Sequence, residues 1–291
     1  MERTDLVFNQ KLSVAIPASL VSDIPHLREK TSRIGMVGRA AAIFGVDEII
    51  VFPDMPERSQ SREIDLITTI LSYMETPQYL RKQLFKIRPE LRYAGVLPPL
   101  RTPHHPLQNR IKDLVDGEYR EGVAVSHTKE GTFVDVGVEQ PALIRDKKIP
   151  ANTRLTVKIK KPHKLLEVEV ASRSEIPQYW GYRVTRSDIP FGKLLKEHTF
   201  DLTIATSKYG KPFAETSKKL TTRWMLSKKV LVAFGAPTRG LYEIAKQENL
   251  NLDDIVDFVV NTIPHQRVET VRTEEALFTT LGILNLTIAK G

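Results

Sequence analysis

The chain has 291 residues, of which 41% are hydrophobic and 27% charged, with a net charge of +8 and no cysteine. This composition excludes disulfides, thiolate chemistry and cysteine-based zinc sites, and no apolar run reaches the ~20 residues of a membrane span. Because the N-terminus also lacks the apolar stretch of a signal peptide, we expect a soluble, cytoplasmic protein. The charge favours an anionic partner, with a solvated basic surface as the alternative.

The N-terminal part of the chain has an α/β pattern. Residues 11–16 alternate as a strand, residues 33–44 have helical spacing, and residues 48–52 form a short apolar strand. Residues 62–87 continue as a helix that is interrupted before Pro77. Alternation of strands and helices predicts a parallel sheet covered by helices.

The middle of the chain changes to short β-like runs separated by glycine, proline or charged turns. The five runs are residues 123–125, 132–136, 142–144, 155–159 and 165–170. Five strands in so short a segment predict a small barrel of the OB type. A cluster of basic residues follows the fourth run: Lys158, Lys160, Lys161, His163 and Lys164. OB-like modules commonly carry nucleic acid, so this cluster is predicted to bind RNA, with a solvated turn as the alternative.

The C-terminal part returns to the α/β pattern. Three apolar runs, residues 201–205, 230–234 and 255–260, end in the loops TSKYGKP, GAPTRG and NTIPHQ, and residues 274–286 form the last predicted helix. Open α/β sheets bind ligands at the carboxyl ends of their strands, which makes these loops a candidate ligand site. The barrel is therefore predicted as an insertion, residues 113–174, in a discontinuous α/β domain of residues 1–112 and 175–291.

The loop GAPTRG, residues 235–240, does not match the common nucleotide-binding loops. It lacks the Gly-Lys-Ser/Thr ending of a Walker loop and the GxGxxG spacing of a dinucleotide site. A nucleotide-dependent enzyme is therefore disfavoured.

Three stretches, taken in order, carry a resemblance to a known superfamily. They are SRIGMVGRAAAIFGVDEIIV (32–51), VAFGAPTRGL (232–241) and NTIPHQRVETVRTEEALFTTLGILN (261–285). The chain resembles the SPOUT superfamily of S-adenosylmethionine-dependent RNA methyltransferases, in particular the archaeal and eukaryotic branch with an OB-like domain inside the methyltransferase fold. The resemblance implies an α/β fold with a parallel sheet, a C-terminal trefoil knot, an inserted OB-like β-barrel and a homodimer.

The resemblance also implies where S-adenosylmethionine binds. Gly235, Gly240 and Pro264 stand at positions that match the superfamily's second and third motifs, and glycines there let the backbone approach the cofactor. The full set of predicted cofactor-binding residues is Thr206, Ser207, Gly235, Pro237, Gly240, Thr262, Ile263, Pro264, Gln266, Val271 and Ala276.

The first motif implies a residue near the reaction centre. Arg39 matches the arginine of the ribose methyltransferase pattern, whereas Arg33 replaces its asparagine. Arg272 stands where the third motif has another asparagine, a departure that weakens the case for ribose 2′-O-methylation. Cationic groups stabilise the anion that forms when a nucleophile loses its proton, so Arg39, Arg33 and Arg272 are the catalytic candidates. Glu274 is a candidate base, with a dipole-favoured first-turn carboxylate as the alternative.

The segment LPPLRTPHHP, residues 97–106, contains four prolines and is predicted to be irregular. Its Pro-His-His sequence matches the same branch. His104 and His105 are predicted to contact RNA or move a proton, with a structural loop as the alternative, and no metal site is expected.

These observations predict an S-adenosylmethionine-dependent RNA methyltransferase that acts on ribosomal RNA, at N3 of a uridine. Two alternatives stay open: a non-catalytic RNA-binding or ribosome-assembly protein that keeps the fold, and a ribose 2′-O-methyltransferase. No membrane partner is expected.

Overall fold

The computed structural model describes residues 10–160 and 166–288 and divides the chain into two compact units. The described residues of the larger unit are 10–72, 90–99 and 182–288. Those of the smaller unit are 73–89, 100–160 and 166–181. The segment predicted as an insertion, residues 113–174, falls within the smaller unit, which also takes in residues before and after that segment.

The strands and helices of the described residues are as follows, in chain order. The strands are β1 (Lys11–Pro17), β2 (Glu48–Phe52), β3 (Tyr119–His127), β4 (Gly131–Asp135), β5 (Ala142–Arg145), β6 (Arg154–Ile159), β7 (Val168–Val170), β8 (Arg183–Arg186), β9 (Leu202–Pro212), β10 (Lys229–Ala233) and β11 (Phe258–Asn261). The helices are α1 (Leu27–Ile43), α2 (Ser61–Glu75), α3 (Gln78–Leu84), α4 (Phe191–Glu197), α5 (Phe213–Leu226), α6 (Leu241–Gln247), α7 (Leu252–Ile255) and α8 (Thr273–Ile288). Within these described ranges no helix combines the length and the apolar character that a membrane span needs.

The larger unit is built on a six-stranded parallel sheet with the order β11-β9-β10-β1-β2-β8. Its central strands are apolar on both faces because helices cover both sides, as is usual for parallel sheets. On β1, for example, Val14, Ala15 and Ile16 are all fully buried. The predicted α/β class with a parallel sheet is therefore confirmed.

Helices pack on this sheet through apolar side chains. One core cluster joins Ala15, Ala205 and Leu231 of the sheet to residues of α4, α6 and α7, including Phe191 and Leu241. Helix α1 packs against α8. The order of the strands matters most for the site: β9, β10 and β11 are neighbours, so their carboxyl ends meet at one edge of the sheet.

Several predicted elements differ from the structure in their limits. Helix α1 begins at Leu27, ahead of the predicted start. Its first turns were missed because they are polar and show no apolar spacing. Strand β11 begins at Phe258, since Ile255 closes the short helix α7. The edge strand β8, with exposed arginines at both ends, was not predicted. The break before Pro77 is confirmed, and residues 97–106 contain no helix or strand.

The smaller unit contains a five-stranded antiparallel sheet with the order β5-β4-β3-β6-β7. Its two edges approach each other, because the backbone N–H of Leu143 donates to the carbonyl of Leu166 at 2.8 Å. The sheet is therefore nearly closed into a barrel. Its interior is filled by apolar side chains that include Val134, Ile144 and Val157.

Candidate active site

A cleft lies at the carboxyl ends of β9, β10 and β11. We call it the strand-end cleft; its volume is about 520 Å³. Its walls come from the segments that follow these strands and from the start of α8. The lining residues are Thr206–Tyr209, Phe234–Gly240, Tyr242, Glu243, Asn261–Ile263, Gln266, Glu269–Val271, Thr273 and Ala276. Ligands of open α/β sheets bind at such an edge.

The loop after β10 is held in a tight shape by its own backbone. Ala236 and Arg239 bond each other, with the Ala236 N–H donating to the Arg239 carbonyl at 2.9 Å and the return bond at 3.3 Å. A Cβ on Gly235 would lie 3.0 Å from the Cα of Gly240 and 3.1 Å from the Arg239 carbonyl oxygen. Gly235 is therefore required for the loop to close on itself.

Gly240 has a different environment. Its φ of −75° is ordinary for any residue, and a Cβ built on it would meet no atom within 4 Å. Neither backbone conformation nor protein packing therefore demands glycine here. Gly240 lines the strand-end cleft, where a missing side chain lets a ligand approach the backbone.

The part of β9 that follows Ala205 forms the second wall. Strand β9 pairs with β11 up to Ala205 opposite Val259, and pairing resumes at Lys211 opposite Val260, so residues 206–210 bulge out of the ladder. The Thr206 hydroxyl donates to the Ala233 carbonyl at 3.0 Å. This bond ties the bulge to β10.

The segment after β11 forms the third wall and is wound up by local hydrogen bonds. The Asn261 carboxamide oxygen accepts from the backbone N–H of Ile263 at 2.9 Å. The Gln266 side chain donates to the carbonyls of Val268 and Glu269 at 2.9 and 3.1 Å. Side-chain amides thus shape this loop.

Helix α8 closes the cleft. Thr273, its first residue, donates from its hydroxyl to the Gly235 carbonyl at 2.8 Å. The Thr262 and Thr280 hydroxyls lie 2.9 Å apart and connect the β11 loop to the same helix. The three walls and α8 therefore form one hydrogen-bonded framework.

The cleft offers hydroxyls, backbone groups and charges of both signs. Arg239 is committed to the protein, since its guanidinium donates to the Asp54 carbonyl at 3.2 Å and to the Gln247 side chain at 2.7 Å. The carboxylates of Glu243 and Glu269 belong to exposed residues of the lining. Burial raises the pKa of Tyr242, as does its hydrogen bond to Asp253, so its hydroxyl stays protonated. This arrangement suits a polar ligand that carries positive charge and hydroxyl groups.

The structure brings most of the predicted cofactor-binding residues together in this cleft. Thr206, Ser207, Gly235, Pro237, Gly240, Thr262, Ile263, Gln266, Val271 and Ala276 all line it. Pro264 is exposed next to Ile263 and is not part of the lining. Asn261 and Tyr209 lie in the predicted ligand loops but were not singled out from the sequence, and neither was Thr273, because their contributions depend on the bulge and on the position of α8. Among residues 10–160 and 166–288, no group of side chains could hold a metal ion.

Two of the predicted catalytic residues line a second cavity of about 400 Å³, which we call the Arg272 cavity. Its lining residues are Asp23, Ile24, Pro25, Glu29, Ser32, Arg33, Met36 and Arg272. Arg272 immediately precedes α8, and its chain neighbours Val271 and Thr273 line the strand-end cleft. The segment 271–273 therefore separates the two cavities, with Val271 and Thr273 lining the strand-end cleft and Arg272 lining the second cavity.

Arg33 and Glu274 form an ion pair, with a guanidinium nitrogen 2.6 Å from a carboxylate oxygen. Glu274 is only 4% exposed. The pair connects α1 to α8 and occupies the carboxylate, which favours the structural alternative for Glu274 over a role as base.

Arg39 lines neither of these cavities. Its guanidinium donates to the Pro99 carbonyl at 3.0 Å. Gly35, one turn earlier on α1, lets the same segment approach, since a Cβ there would lie 2.8 Å from a methyl carbon of Leu97. The first motif therefore holds residues 97–99 on α1 in this structure.

In the smaller unit, His104 and His105 both point at the C-terminal end of α2. The His104 ring is fully buried, with Nε2 2.9 Å from the Glu75 carbonyl oxygen and 3.2 Å from its carboxylate. His105 Nε2 lies 2.7 Å from the same carbonyl. Burial and the charge of His104 lower the pKa of His105 to about 4. The burial of His104 favours the structural alternative, in which the histidines anchor their loop.

Glu75 is the centre of a buried ionic cluster. Burial alone raises its pKa, but the hydrogen bond from His104 and the charge of Arg154 outweigh that effect and lower the pKa to about 2. Arg154 lies 2.7 Å from Glu75 and 2.6 Å from Glu121, which is also buried. The cluster was not apparent from the sequence because its members are far apart along the chain.

The described lysines of the predicted RNA-binding cluster lie at the end of β6. The ammonium of Lys158 is 5.6 Å from the centre of the Tyr119 ring. Lys160 forms an ion pair with Glu169 at 2.7 Å, and both side chains are exposed. Lys161, His163 and Lys164 lie outside the described residues.

The parallel sheet and the strand-end cleft define a ligand-binding α/β protein. A family model described as "Putative RNA methyltransferase" matches residues 11–284, so the chain belongs to this RNA methyltransferase family. The resemblance to RNA methyltransferases is confirmed, and the chain is an enzyme of this class.

Named relatives extend the comparison. An uncharacterised protein of Haloarcula marismortui is 33% identical over 94% of this chain and 99% of that protein. The 28S rRNA (uridine-N(3))-methyltransferase of Homo sapiens is 33% identical over 94% of this chain and 77% of the human protein. The Drosophila melanogaster protein of the same name is 34% identical over 94% and 61%.

Proposed function

We propose that this enzyme transfers a methyl group from S-adenosylmethionine to ribosomal RNA, at N3 of a uridine. The strand-end cleft carries the cofactor part of the proposal, because it gathers ten of the eleven predicted cofactor residues around the open space beside Gly240. The RNA part is supported by the uridine-N(3) relatives, which match 94% of the chain.

The residues of the cleft fit this cofactor chemically. Bound S-adenosylmethionine supplies a methyl group on a positively charged sulfur. The hydroxyls of Thr206, Ser207 and Thr262 and the carboxylates of Glu243 and Glu269 are suitable partners for a ribose and an ammonium group. The missing side chain at Gly240 leaves the space in which backbone and ligand come close.

The Arg272 cavity supports a place for the acceptor. A uridine N3 becomes a good nucleophile only when it loses its proton, and a nearby guanidinium stabilises the resulting anion. Arg272 borders the strand-end cleft through its chain neighbours, and its own side chain lines the Arg272 cavity. We assign that stabilising role to Arg272. Arg33 adds positive charge to the same cavity while paired with Glu274.

We also propose the finer features that the superfamily resemblance implies. The nearly closed sheet of the smaller unit supports an OB-like RNA-binding module, with Lys158 and Lys160 exposed or half-exposed at one end of it. The knot is supported by the strand order, since β11 follows β10 in the chain but pairs with β9. A homodimer is supported by the exposed apolar side chains of Ile43 on α1 and Leu286 on α8. A cytoplasmic location fits a ribosomal RNA substrate.

The test has two measurements on the intact protein. Calorimetric titration with S-adenosylhomocysteine reports the cofactor site, and Gly235→Trp should abolish the binding because that loop has no room for a side chain. Transfer of a labelled methyl group to unmodified ribosomal RNA, followed by mass spectrometry of the nucleosides, reports the acceptor atom. The proposal expects 3-methyluridine. A 2′-O-methylated nucleoside would overturn the base assignment, and failure to bind S-adenosylhomocysteine would overturn the cofactor assignment.

A further inference from the structure

The bulge of residues 206–210, which we call the Tyr209 bulge, displays an aromatic ring at the rim of the strand-end cleft. The Tyr209 side chain is 73% exposed and contributes to the cleft lining. The other seven tyrosines of the chain are buried or half-buried. Aromatic side chains are usually stabilised by burial, so an exposed ring at the rim of a cleft indicates a surface that binds a partner.

One lysine lies beside this ring and a second follows it closely in the chain. The Lys208 ammonium lies 5.2 Å from the centre of the Tyr209 ring, and Lys211 is exposed just after the bulge. Proteins that bind single-stranded nucleic acid commonly combine an aromatic ring with nearby lysines. The bases stack on the ring, and the lysines bind the phosphates.

The bulge is rigidly held although its tip is exposed. The Asn261 carboxamide donates to the Lys208 carbonyl at 2.9 Å, and the Tyr209 N–H donates to the Ser207 hydroxyl at 3.1 Å. Gly210 lies so close to β11 that a Cβ would be 2.8 Å from the carbonyl carbon of Val260. The ring is therefore presented by an ordered backbone, which reduces the entropy lost when a ligand stacks on it.

We propose that Tyr209 is a positioning residue, on which a base of the RNA substrate stacks while Lys208 and Lys211 contact the adjoining phosphates. This inference rests on the proposed function and specifies how RNA enters the cleft. The Tyr209 ring contacts a base and not only the sugar–phosphate backbone. The lysines can bind phosphates without the ring, whereas an exposed aromatic ring offers a flat surface on which a base stacks. Stacking on Tyr209 holds the strand at the rim where the methyl donor binds.

The experiment compares two labelled RNAs by fluorescence anisotropy: a short oligouridylate and an abasic strand of equal length. Tyr209→Ala should weaken oligouridylate binding by about 5- to 150-fold, the range for loss of one stacked base. Tyr209→Phe and Tyr209→Trp should bind like the intact protein, because both keep a ring. The abasic strand should bind the Ala variant and the intact protein equally.

A charge control separates stacking from electrostatics. Lys208→Ala should weaken binding of both RNAs and reduce its dependence on salt. Lys228→Ala removes an equal charge from the opposite, amino-terminal edge of the sheet. It should change neither the binding of the two RNAs nor its dependence on salt. Lys228→Ala should leave S-adenosylhomocysteine binding unchanged, and, because the inference places Tyr209 against RNA, Tyr209→Ala should raise the KM for RNA more than it lowers kcat.

Three results would overturn the inference. The first is that Tyr209→Ala weakens binding of the oligouridylate and of the abasic strand equally. The second is that Tyr209→Ala weakens binding of neither RNA, or that the intact protein does not bind oligouridylate at all. The third is a loss of S-adenosylhomocysteine binding, which would assign the ring to the adenine. In each case an intact protein that still binds S-adenosylhomocysteine and methylates ribosomal RNA leaves the proposed function standing, whereas failure of those two activities refutes the proposed function itself.

Discussion

Gly240→Val is the sharpest perturbation of the proposed cofactor site. The backbone at Gly240 has φ −75° and ψ 168°, an extended conformation that suits a β-branched residue. A Cβ at this position meets no protein atom within 4 Å, and Gly240 lines the strand-end cleft. The substitution therefore adds volume to the cleft without forcing the loop to move.

The expected magnitudes follow from this geometry. The added Cβ meets no protein atom, but Gly240 is the N-cap of α6, where valine is less favourable than glycine, so the free energy of unfolding should fall by about 1 kcal/mol or less. A ligand packed against Gly240 would have to shift, at a cost of about 1–3 kcal/mol for overpacking. The Kd for S-adenosylhomocysteine should therefore rise by at least about fivefold, and by as much as about 150-fold.

The assay is calorimetric titration of S-adenosylhomocysteine combined with urea unfolding of each variant. Gly95→Val is the matched control, because Gly95 also meets no atom within 4 Å and does not line the cleft. Gly235→Ala is the contrasting variant. Its Cβ would press on Gly240 at 3.0 Å, so it should lower stability as well as affinity.

Unchanged affinity in a folded Gly240→Val variant would refute the reasoning, since the space beside Gly240 would then hold no part of the ligand. Equal losses in Gly240→Val and Gly95→Val would also refute it, because the effect would not be specific to the cleft.

Three further outcomes are expected. Glu75→Gln should lower the free energy of unfolding at neutral pH by roughly 3 kcal/mol, because the folded-state pKa near 2 lies below the ordinary 4.5. That stabilisation is complete above pH 4.5 and is lost as the pH falls towards about 2, so the free energy of unfolding in urea should depend less on pH in the variant than in the intact protein across this window. The same pH dependence in both proteins would contradict the assignment. Arg272→Met should reduce kcat for RNA methylation by about a hundredfold while S-adenosylhomocysteine binding stays unchanged, and an unaltered kcat would exclude Arg272 from charge stabilisation. Thr273→Val should remove the hydroxyl that donates to Gly235 and weaken S-adenosylhomocysteine binding severalfold in titrations, whereas Thr279→Val, on the exposed face of α8, should have no effect.

Local patterns in the sequence were enough to predict the parallel sheet. Strands such as β2 and β10 are short apolar runs bounded by polar or glycine-bearing residues, and their limits match the structure within one residue. Polar stretches were harder to predict. The first turns of α1 and the strand β8 lack an apolar period, because solvent rather than the core faces them.

The role of the first motif also depended on tertiary structure. The sequence marks Gly35 and Arg39, but only the folded chain brings residues 97–99 against them. The same holds for His104, whose neighbours Glu75 and Arg154 are distant in sequence. A buried cluster of this kind has no local pattern, because each member is chosen for partners that approach only on folding.

The sequence by itself determined the fold class and the three segments that meet in the strand-end cleft, because glycines and apolar runs have local conformational effects that can be read in order. The family followed from the resemblance of three motifs to a known superfamily. Only the tertiary structure decided which residues lie together in the lining of the strand-end cleft. It separated Gly235, needed for loop closure, from Gly240, which faces open space, and it raised Tyr209 to the rim through a register shift between β9 and β11. Those properties arise from packing between distant segments, and no single segment contains them.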